Sequence, residues 1–217
     1  MRNAFVASAL TLLMMTGTAQ AGARGRITNW NGTYAGLEAG YGWGSVKQFF
    51  GRVGGPLTNS RGSINQDGAV AGGYLGYNWL LSPHWLIGVE GNMDWTDIGT
   101  NSSGATNPVN LHWEGSFRGR LGFLAAPSLL ISTTGGYSLI DGSLKALNPP
   151  VEVHSTTFDG WTVGFGAEWE LDSSMVLRLQ YRYSDYGNQR VSFPLHGYDV
   201  DAAPLISTIT AGVSFRF

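Results

Sequence analysis

The last ten residues alternate without interruption between two kinds of side chain. Apolar residues occupy every second position, with polar residues or glycine between them: Ile209, Ala211, Val213, Phe215 and Phe217 against Thr208, Thr210, Gly212, Ser214 and Arg216. A period of two is that of a β-strand with one apolar and one polar face. The same alternation recurs in segments of about ten residues, the length that a tilted strand needs to cross a bilayer. The pattern therefore predicts a transmembrane β-barrel.

Segments of this kind follow one another along most of the chain. They lie at residues 33–43, 69–79, 85–95, 111–123, 129–140, 158–171, 175–183 and 208–217. The connections 80–84, 126–128 and 172–174 are short, whereas 45–68, 96–110, 141–157 and 186–203 are long and rich in Gly, Asn, Ser and Pro. Short turns at one end and long outer loops at the other are typical of outer-membrane barrels. We therefore expect an all-β, eight-stranded, antiparallel up-and-down transmembrane barrel with both termini on the periplasmic side.

Composition agrees with this fold class. Hydrophobic residues make up 43% of the chain and charged residues only 13%, yet beyond the N-terminus no apolar run is long enough for a spanning helix. Tryptophans at the strand ends predict aromatic girdles at the two membrane interfaces. These are Trp43, Trp79, Trp85, Trp95, Trp113 and Trp169.

The N-terminus reads as a secretory signal peptide over residues 1–21. Arg2 supplies a positive charge, an apolar stretch follows, and Ala19-Gln20-Ala21 forms a small-x-small cleavage site. We expect removal of this segment and a single barrel domain over 22–217. Without Arg2 the chain has 12 basic and 15 acidic residues, a net charge of −3, which argues against nucleic acid as a partner.

Segment 111–123 is the most informative of the eight because its charged side chains share one face. An Arg or Lys facing the bilayer midplane costs roughly 2–4 kcal/mol, so these side chains must point into the lumen. His112 is placed on the same inward face, near Glu114. The same phasing applied to all strands predicts a lumen network of Glu38, Glu90, Asp94, Glu114, Arg118, Arg120, Glu168, Glu170, Arg178, Arg182 and Arg216.

Three stretches carry a resemblance to a known family: residues 30–36 (WNGTYAG), 72–79 (GGYLGYNW) and 212–217 (GVSFRF). They resemble the small eight-stranded outer-membrane barrels of Gram-negative bacteria, which include the OmpA-type transmembrane domain and immunogenic surface proteins often labelled porins. The resemblance implies outer-membrane localisation, outer-membrane lipid and lipopolysaccharide as partners, and Phe217 as the signal read by the barrel-assembly machinery. We expect no peptidoglycan-binding domain beside the barrel, so the resemblance does not extend to cell-wall tethering.

The lumen network allows two functions. An eight-stranded barrel has an interior just wide enough to be filled by side chains, so a balanced set of Arg and Glu predicts a plugged structural barrel with a surface-display role. We expect Arg118 and Arg120 to reach over glycines of the first strand toward Glu38. The alternative is a narrow porin-like channel for small solutes or ions along the same residues.

The long loops offer a third function, adhesion or ligand binding, because binding sites concentrate in loops on rigid scaffolds. The first loop carries Lys47, Phe49, Phe50, Arg52 and Arg61, which could contact lipopolysaccharide phosphates or a host surface. His196 and Tyr198 in the last loop are candidate haem ligands, although we expect no resident cofactor.

An enzyme is not expected. Some barrels of this size are lipid-modifying hydrolases or acyltransferases, but His154-Ser155 is the one adjacent His–Ser pair, and it lies in a predicted loop without a placed carboxylate. His84 falls in a short turn. The four histidines lack the spacing of a zinc site and the chain has no cysteine, so no metal site is predicted.

Overall fold

A computed structural model describes residues 30–52, 55, 57–100, 109–146, 152–193 and 197–217. The elements in these ranges are all β-strands: β1 (Gly32–Arg52), β2 (Leu57–Leu80), β3 (Trp85–Thr100), β4 (Val109–Ala126), β5 (Leu129–Ala146), β6 (Glu152–Glu170), β7 (Met175–Asp185), β8 (Gln189–Phe193) and β9 (Tyr198–Arg216). The described residues contain no α-helix long and apolar enough to span a membrane. The predicted signal peptide lies outside them.

The sheet closes on itself. Each of β1 to β6 pairs antiparallel with the next strand, β7 pairs with β9, and β9 returns to β1 over Tyr34↔Arg216 to Arg52↔Tyr198. The short β8 pairs with β9 beyond the end of β7, so it adds a hairpin at the rim without entering the closed ring. The predicted eight-stranded antiparallel barrel is confirmed, with one additional strand.

Burial alternates along the strands with the period that the sequence predicts. On β3, Leu86, Glu90 and Asp94 are buried, while Trp85, Met93 and Trp95, each adjacent to one of them in sequence, are exposed. Large apolar side chains therefore cover the outside, where Leu37 reaches 75% exposure and Phe117 65%. An apolar outer surface and a buried interior rich in charged groups are the arrangement that lipid around a barrel requires.

The connections differ from the prediction at one end only. The three turns at 80–84, 126–128 and 172–174 are short, as expected, and define what we call the turn end of the barrel. At the opposite, loop end, most of the predicted loop residues are strand: β1 and β2 stay paired to Gly51↔Leu57, and β5 and β6 to Ala146↔Glu152. The expected long irregular loops are thus largely hairpins that continue the barrel wall.

A β-bulge near the start of β4 reverses which of its first side chains point inward and which point outward. Leu111 pairs with Gly142 and Trp113 with Asp141, which leaves His112 as an extra residue. Because an extra residue shifts the alternation by one, Leu111 turns inward and is buried, whereas His112 is exposed with its Nε2 3.4 Å from Ser143 Oγ. The prediction that His112 faces the lumen near Glu114 is wrong.

Candidate functional site in the barrel interior

The interior side chains form three layers along the barrel axis. On β3 the inward residues run Leu86, Glu90, Asp94 and Ile98 from the turn end to the loop end, and β4 repeats the order in reverse. The turn-end apolar layer consists of Trp30, Leu86, Leu124, Leu130 and Val176. The loop-end apolar layer is larger and consists of Val46, Val70, Ile98, Leu111, Ile140, Leu144, Phe158, Tyr186, Val191, Phe193, Val200, Ala202 and Ile206. Charged residues fill the space between.

The charged layer nearer the turn end centres on Glu90. Arg178 donates to both of its oxygens, at 2.6 and 2.8 Å, and Arg118 Nη2 lies 2.6 Å from Oε1. Arg120 is 3.6 Å from Oε2 and also pairs with Glu168. We call these five residues the Glu90 cluster. Bidentate and charge-assisted bonds of this kind are the strong ones among protein hydrogen bonds.

Two tyrosines complete the Glu90 cluster. The Tyr34 hydroxyl donates to Glu90 at 2.8 Å and accepts from Arg120 at 3.0 Å, while the Arg178 guanidinium lies 4.4 Å from the centre of the Tyr74 ring. The rings occupy the space left by strand glycines: a Cβ at Gly36 would approach the Tyr74 ring at 2.5 Å. Aromatic rings, and not Arg side chains, therefore fill the space beside these glycines.

The expected reach of Arg118 and Arg120 toward Glu38 is therefore wrong. Arg118 turns to Glu90 on the neighbouring strand, and its second contact is Gln180 Oε1 at 3.4 Å. Arg120 crosses to Glu168. Tyr34 contacts Arg120, and the Tyr74 ring fills the space over Gly36, so aromatic rings occupy the wall that Arg120 was expected to cross.

Glu38 instead belongs to a second group nearer the loop end, the Arg182 cluster. Arg182 Nη2 lies 2.6 Å from Asp94 and 3.8 Å from Glu114, and Nη1 lies 3.7 Å from Glu38. Hydroxyl groups satisfy part of the remaining hydrogen-bonding capacity of the carboxylates: Thr210 donates to Glu38 at 3.0 Å and Ser138 to Glu114 at 3.3 Å. Three carboxylates thus converge on one guanidinium.

The two clusters carry opposite charge imbalances. The Glu90 cluster has three guanidinium groups against two carboxylates, whereas the Arg182 cluster has one against three. Both are buried with side-chain exposure of 6% or less. Opposite excess charges attract each other through a medium of low dielectric constant, so the two clusters attract each other across the lumen.

The last two predicted network residues lie at the turn end, apart from these clusters. Arg216 Nη2 is 2.8 Å from Glu170, and its guanidinium stacks 4.7 Å from the centre of the Trp30 ring. Trp30 Nε1 donates to Pro127 O at 3.1 Å. These contacts fix Trp30 inside the barrel. The sequence does not predict this position, because the residues around Trp30 do not alternate between apolar and polar.

The β8 hairpin completes the loop-end apolar layer. Val191 and Phe193 of β8 are buried in it, and His154 packs edge-on against Phe193 with ring centroids 5.1 Å apart. Gly187 and Gly197, with φ of 36° and 70°, flank β8 and allow the chain to turn back. On its outer side Arg190 donates to Asp201 at 2.9 Å, and this hydrogen bond raises the pKa of Arg190.

The six girdle tryptophans all lie on the outer face, 42–48% exposed. Trp161, 50% exposed on β6, joins them and was not among the predicted set. On β3, Trp85 and Trp95 are ten residues apart, which for a tilted strand corresponds to about 25 Å across the barrel, the height of an outer-membrane apolar band.

The remaining candidate residues form no site in the described part of the chain. His84 stacks on Phe123, and Tyr198 packs on Phe193 with centroids 5.4 Å apart. His196 and the side chains of Phe50, Arg52 and Arg61 lie outside the described residues; Lys47 is exposed and Phe49 partly buried. No group of three or more His, Asp or Glu among the described residues is arranged to hold a metal ion.

Comparison with known proteins gives consistent relatives. The family model described as outer membrane protein beta-barrel domain matches residues 7–217. The 25 kDa outer-membrane immunogenic protein of Brucella abortus biovar 1 (strain 9-941) is 32% identical over 189 residues, covering 87% of this chain and 80% of that protein. The 22 kDa outer membrane protein of Rhizobium leguminosarum bv. viciae is 31% identical over 183 residues, covering 80% and 79%.

Among solved structures, the outer membrane protein OprG from Pseudomonas aeruginosa superposes with a TM-score of 0.54 at 11% identity. The match covers 88% of this chain and 100% of that one. At this identity the likeness concerns the fold alone.

Proposed function

Because this chain belongs to the outer membrane protein beta-barrel domain family and resides in the outer membrane of a Gram-negative bacterium, we propose that it is a structural and surface-display protein whose lumen is closed to solutes. The hairpins at the loop end face outward from the cell, since outer-membrane barrels carry their longer connections there. The proposed role is not enzymatic, in line with relatives named outer-membrane immunogenic proteins.

One observation carries the proposal: an apolar layer lies at each end of the charged clusters. An ion that followed the lumen would leave water at Phe158 and Phe193, enter the clusters, and cross a second apolar layer at Trp30 and Leu86. Removing a charge from water without new partners is costly. In the Glu90 cluster few replacement partners remain, since this carboxylate already binds three guanidinium groups. The three carboxylates of the Arg182 cluster favour a cation, so the barrier rests on the two apolar layers.

The proposal predicts electrical silence. Refolded protein starting at Gly22, the expected mature terminus, should show no discrete conductance steps in a planar bilayer. The variant Arg118→Ala/Arg120→Ala should also be silent, because both apolar layers remain. A variant with those changes plus Trp30→Ala, Phe158→Ala and Phe193→Ala removes large side chains from every layer and should conduct. Heat-dependent gel mobility verifies that each variant is folded.

Discrete steps in the unaltered protein, changed by Arg118→Ala/Arg120→Ala, would overturn the closed lumen and identify a narrow channel. A silent unaltered protein, together with a conducting variant that carries all five substitutions, would support the proposal. In that case ligands should be sought at the outward hairpins. Adhesion is tested by deleting the residues between β1 and β2 and checking that the barrel still folds.

A further inference from the structure

The outer surface of the barrel carries a groove of about 550 Å³ at the seam where β9 closes onto β1. Asp67, Trp43, Ser207 and Tyr183 form one row across four neighbouring strands, paired Trp43↔Asp67, Trp43↔Ser207 and Tyr183↔Ser207. With about 4.8 Å between strands, the backbones at Trp43 and Tyr183 are about 10 Å apart. The small Ser207 between them leaves a cleft with aromatic walls.

The floor and upper edge of this cleft are polar. Ser207 Oγ lies 3.1 Å from the Tyr181 hydroxyl, and the Tyr41 hydroxyl donates to Asp67. Ser45 and Asn65 complete the edge toward the loop end. None of the described lining residues is basic, and Asp67 is the one acidic residue among them. The cleft therefore suits hydroxyl or amino groups and disfavours a phosphate.

A second groove, of about 360 Å³, lies on the same seam nearer the middle of the membrane. Its outer lining is apolar: Leu37, Ala39, Leu177, Ala211 and Val213. Ala39 and Ala211 are paired and form a low floor between larger neighbours. They are four residues from Trp43 and Ser207, or about 13 Å along the strand.

The seam thus offers an aromatic and polar cleft at the outer-leaflet interface and an apolar trough directly below it. This order is that of a lipid with a sugar headgroup, whose ring can stack on aromatic faces while an acyl chain runs toward the membrane centre. We propose that the β1–β9 seam binds one saccharide-headed lipid of the outer leaflet. Its sugar lies between Trp43 and Tyr183, and its acyl chain lies over Ala39 and Ala211.

The β3–β4 seam provides the internal comparison. There Trp95 is paired directly with Trp113, so two large rings are adjacent and no small residue opens a cleft between them. Trp113 is exposed to a similar extent as Trp43, 48% against 42%. General interfacial anchoring therefore predicts equal roles for both tryptophans, whereas a specific site predicts unequal ones.

The test is native mass spectrometry of the folded protein in detergent, titrated with monogalactosyl diacylglycerol, whose sugar headgroup carries no phosphate, or with phosphatidylglycerol. We expect one galactolipid to be retained about tenfold more tightly than phosphatidylglycerol. Trp43→Ala and Ser207→Trp should each weaken galactolipid binding by about tenfold. Two controls should leave galactolipid binding within about twofold. Trp113→Ala removes the same ring from β4, and Thr157→Trp adds one at an exposed position of β6 that is paired with Asp141 of β5.

Ala211→Phe fills the lower trough and should also weaken galactolipid binding; unchanged binding would overturn the proposed acyl-chain path. Equal weakening by Trp43→Ala and Trp113→Ala, or equal retention of the two lipids, would overturn the site itself. All these positions face outward, so folding, checked by heat-dependent gel mobility, is expected to persist in every variant.

Discussion

Glu90 is the residue on which the interior charges depend most. Its carboxylate meets Arg118, Arg120 and Arg178, and it also accepts from Tyr34. Its side chain is completely buried. Removing this carboxylate would leave three guanidinium groups with Glu168 alone inside the cluster. The free energy of folding should therefore respond to Glu90 far more than to charges at the surface.

We predict that Glu90→Gln lowers the free energy of unfolding by about 3–5 kcal/mol, as for a broken buried ion pair. Arg190→Gln, which breaks an exposed pair with Asp201, should cost far less, because exposed ion pairs contribute little to stability. Urea titration followed by gel mobility measures both. Adding Arg118→Gln to Glu90→Gln should restore part of the loss, because it removes one unpaired positive charge. Equal losses for Glu90→Gln and Arg190→Gln would contradict this account.

At the scale of the strand, the alternation of inward and outward positions determines which substitutions the membrane tolerates. Val89 faces outward midway between Trp85 and Trp95, hence near the bilayer midplane. Asn92 faces inward beside Asp94, to which its amide donates at 2.5 Å. Neighbouring positions on one strand therefore meet lipid in one case and a carboxylate in the other.

Val89→Arg should destabilise the inserted barrel by roughly 2–4 kcal/mol, the cost of Arg at the midplane. Asn92→Arg should cost less, because the new cation lies beside the Arg182 cluster with its excess of carboxylates. Refolding yield into lipid vesicles compares the two variants. Equal yields would show that the assigned phase of β3 is wrong.

The inward and outward positions of the strands could be predicted because contact with lipid enforces the alternation. The orientation at the start of β4 could not be predicted, because it depends on strand pairing. The alternation of its sequence neighbours predicts an inward His112, but the bulge at Leu111–Trp113 depends on pairing with β3 and β5. Partner choice was equally hidden. Sequence places Arg118 and Glu38 on inward faces, yet the shapes of Tyr34 and Tyr74 decide which groups meet.

Across the whole molecule, the apolar layers are what sequence reasoning missed. Val46, Ile98 and Leu144 lie in segments rich in Gly, Asn and Ser. This composition predicts loops, and it conceals the alternation of inward and outward side chains that is typical of a strand. Once the hairpins extend the barrel wall, these residues point inward and close the interior above the charged clusters. The closure depends on strand length, which local alternation does not fix.

The C-terminal residue, Phe217, is the proposed assembly signal. The backbone of Phe217 donates to Thr33 O at 2.9 Å, at the end of the β1–β9 seam, while its side chain is 82% exposed. Because the ring buries little surface, deleting Phe217 should leave refolding into detergent nearly unchanged. In cells the same deletion should lower the yield of folded barrel several-fold, since the proposed assembly signal is lost. Heat-dependent gel mobility of outer-membrane fractions and of refolded protein measures both quantities. Parallel losses in the two assays would assign Phe217 a role in stability, and an unchanged yield in cells would remove its proposed part in assembly.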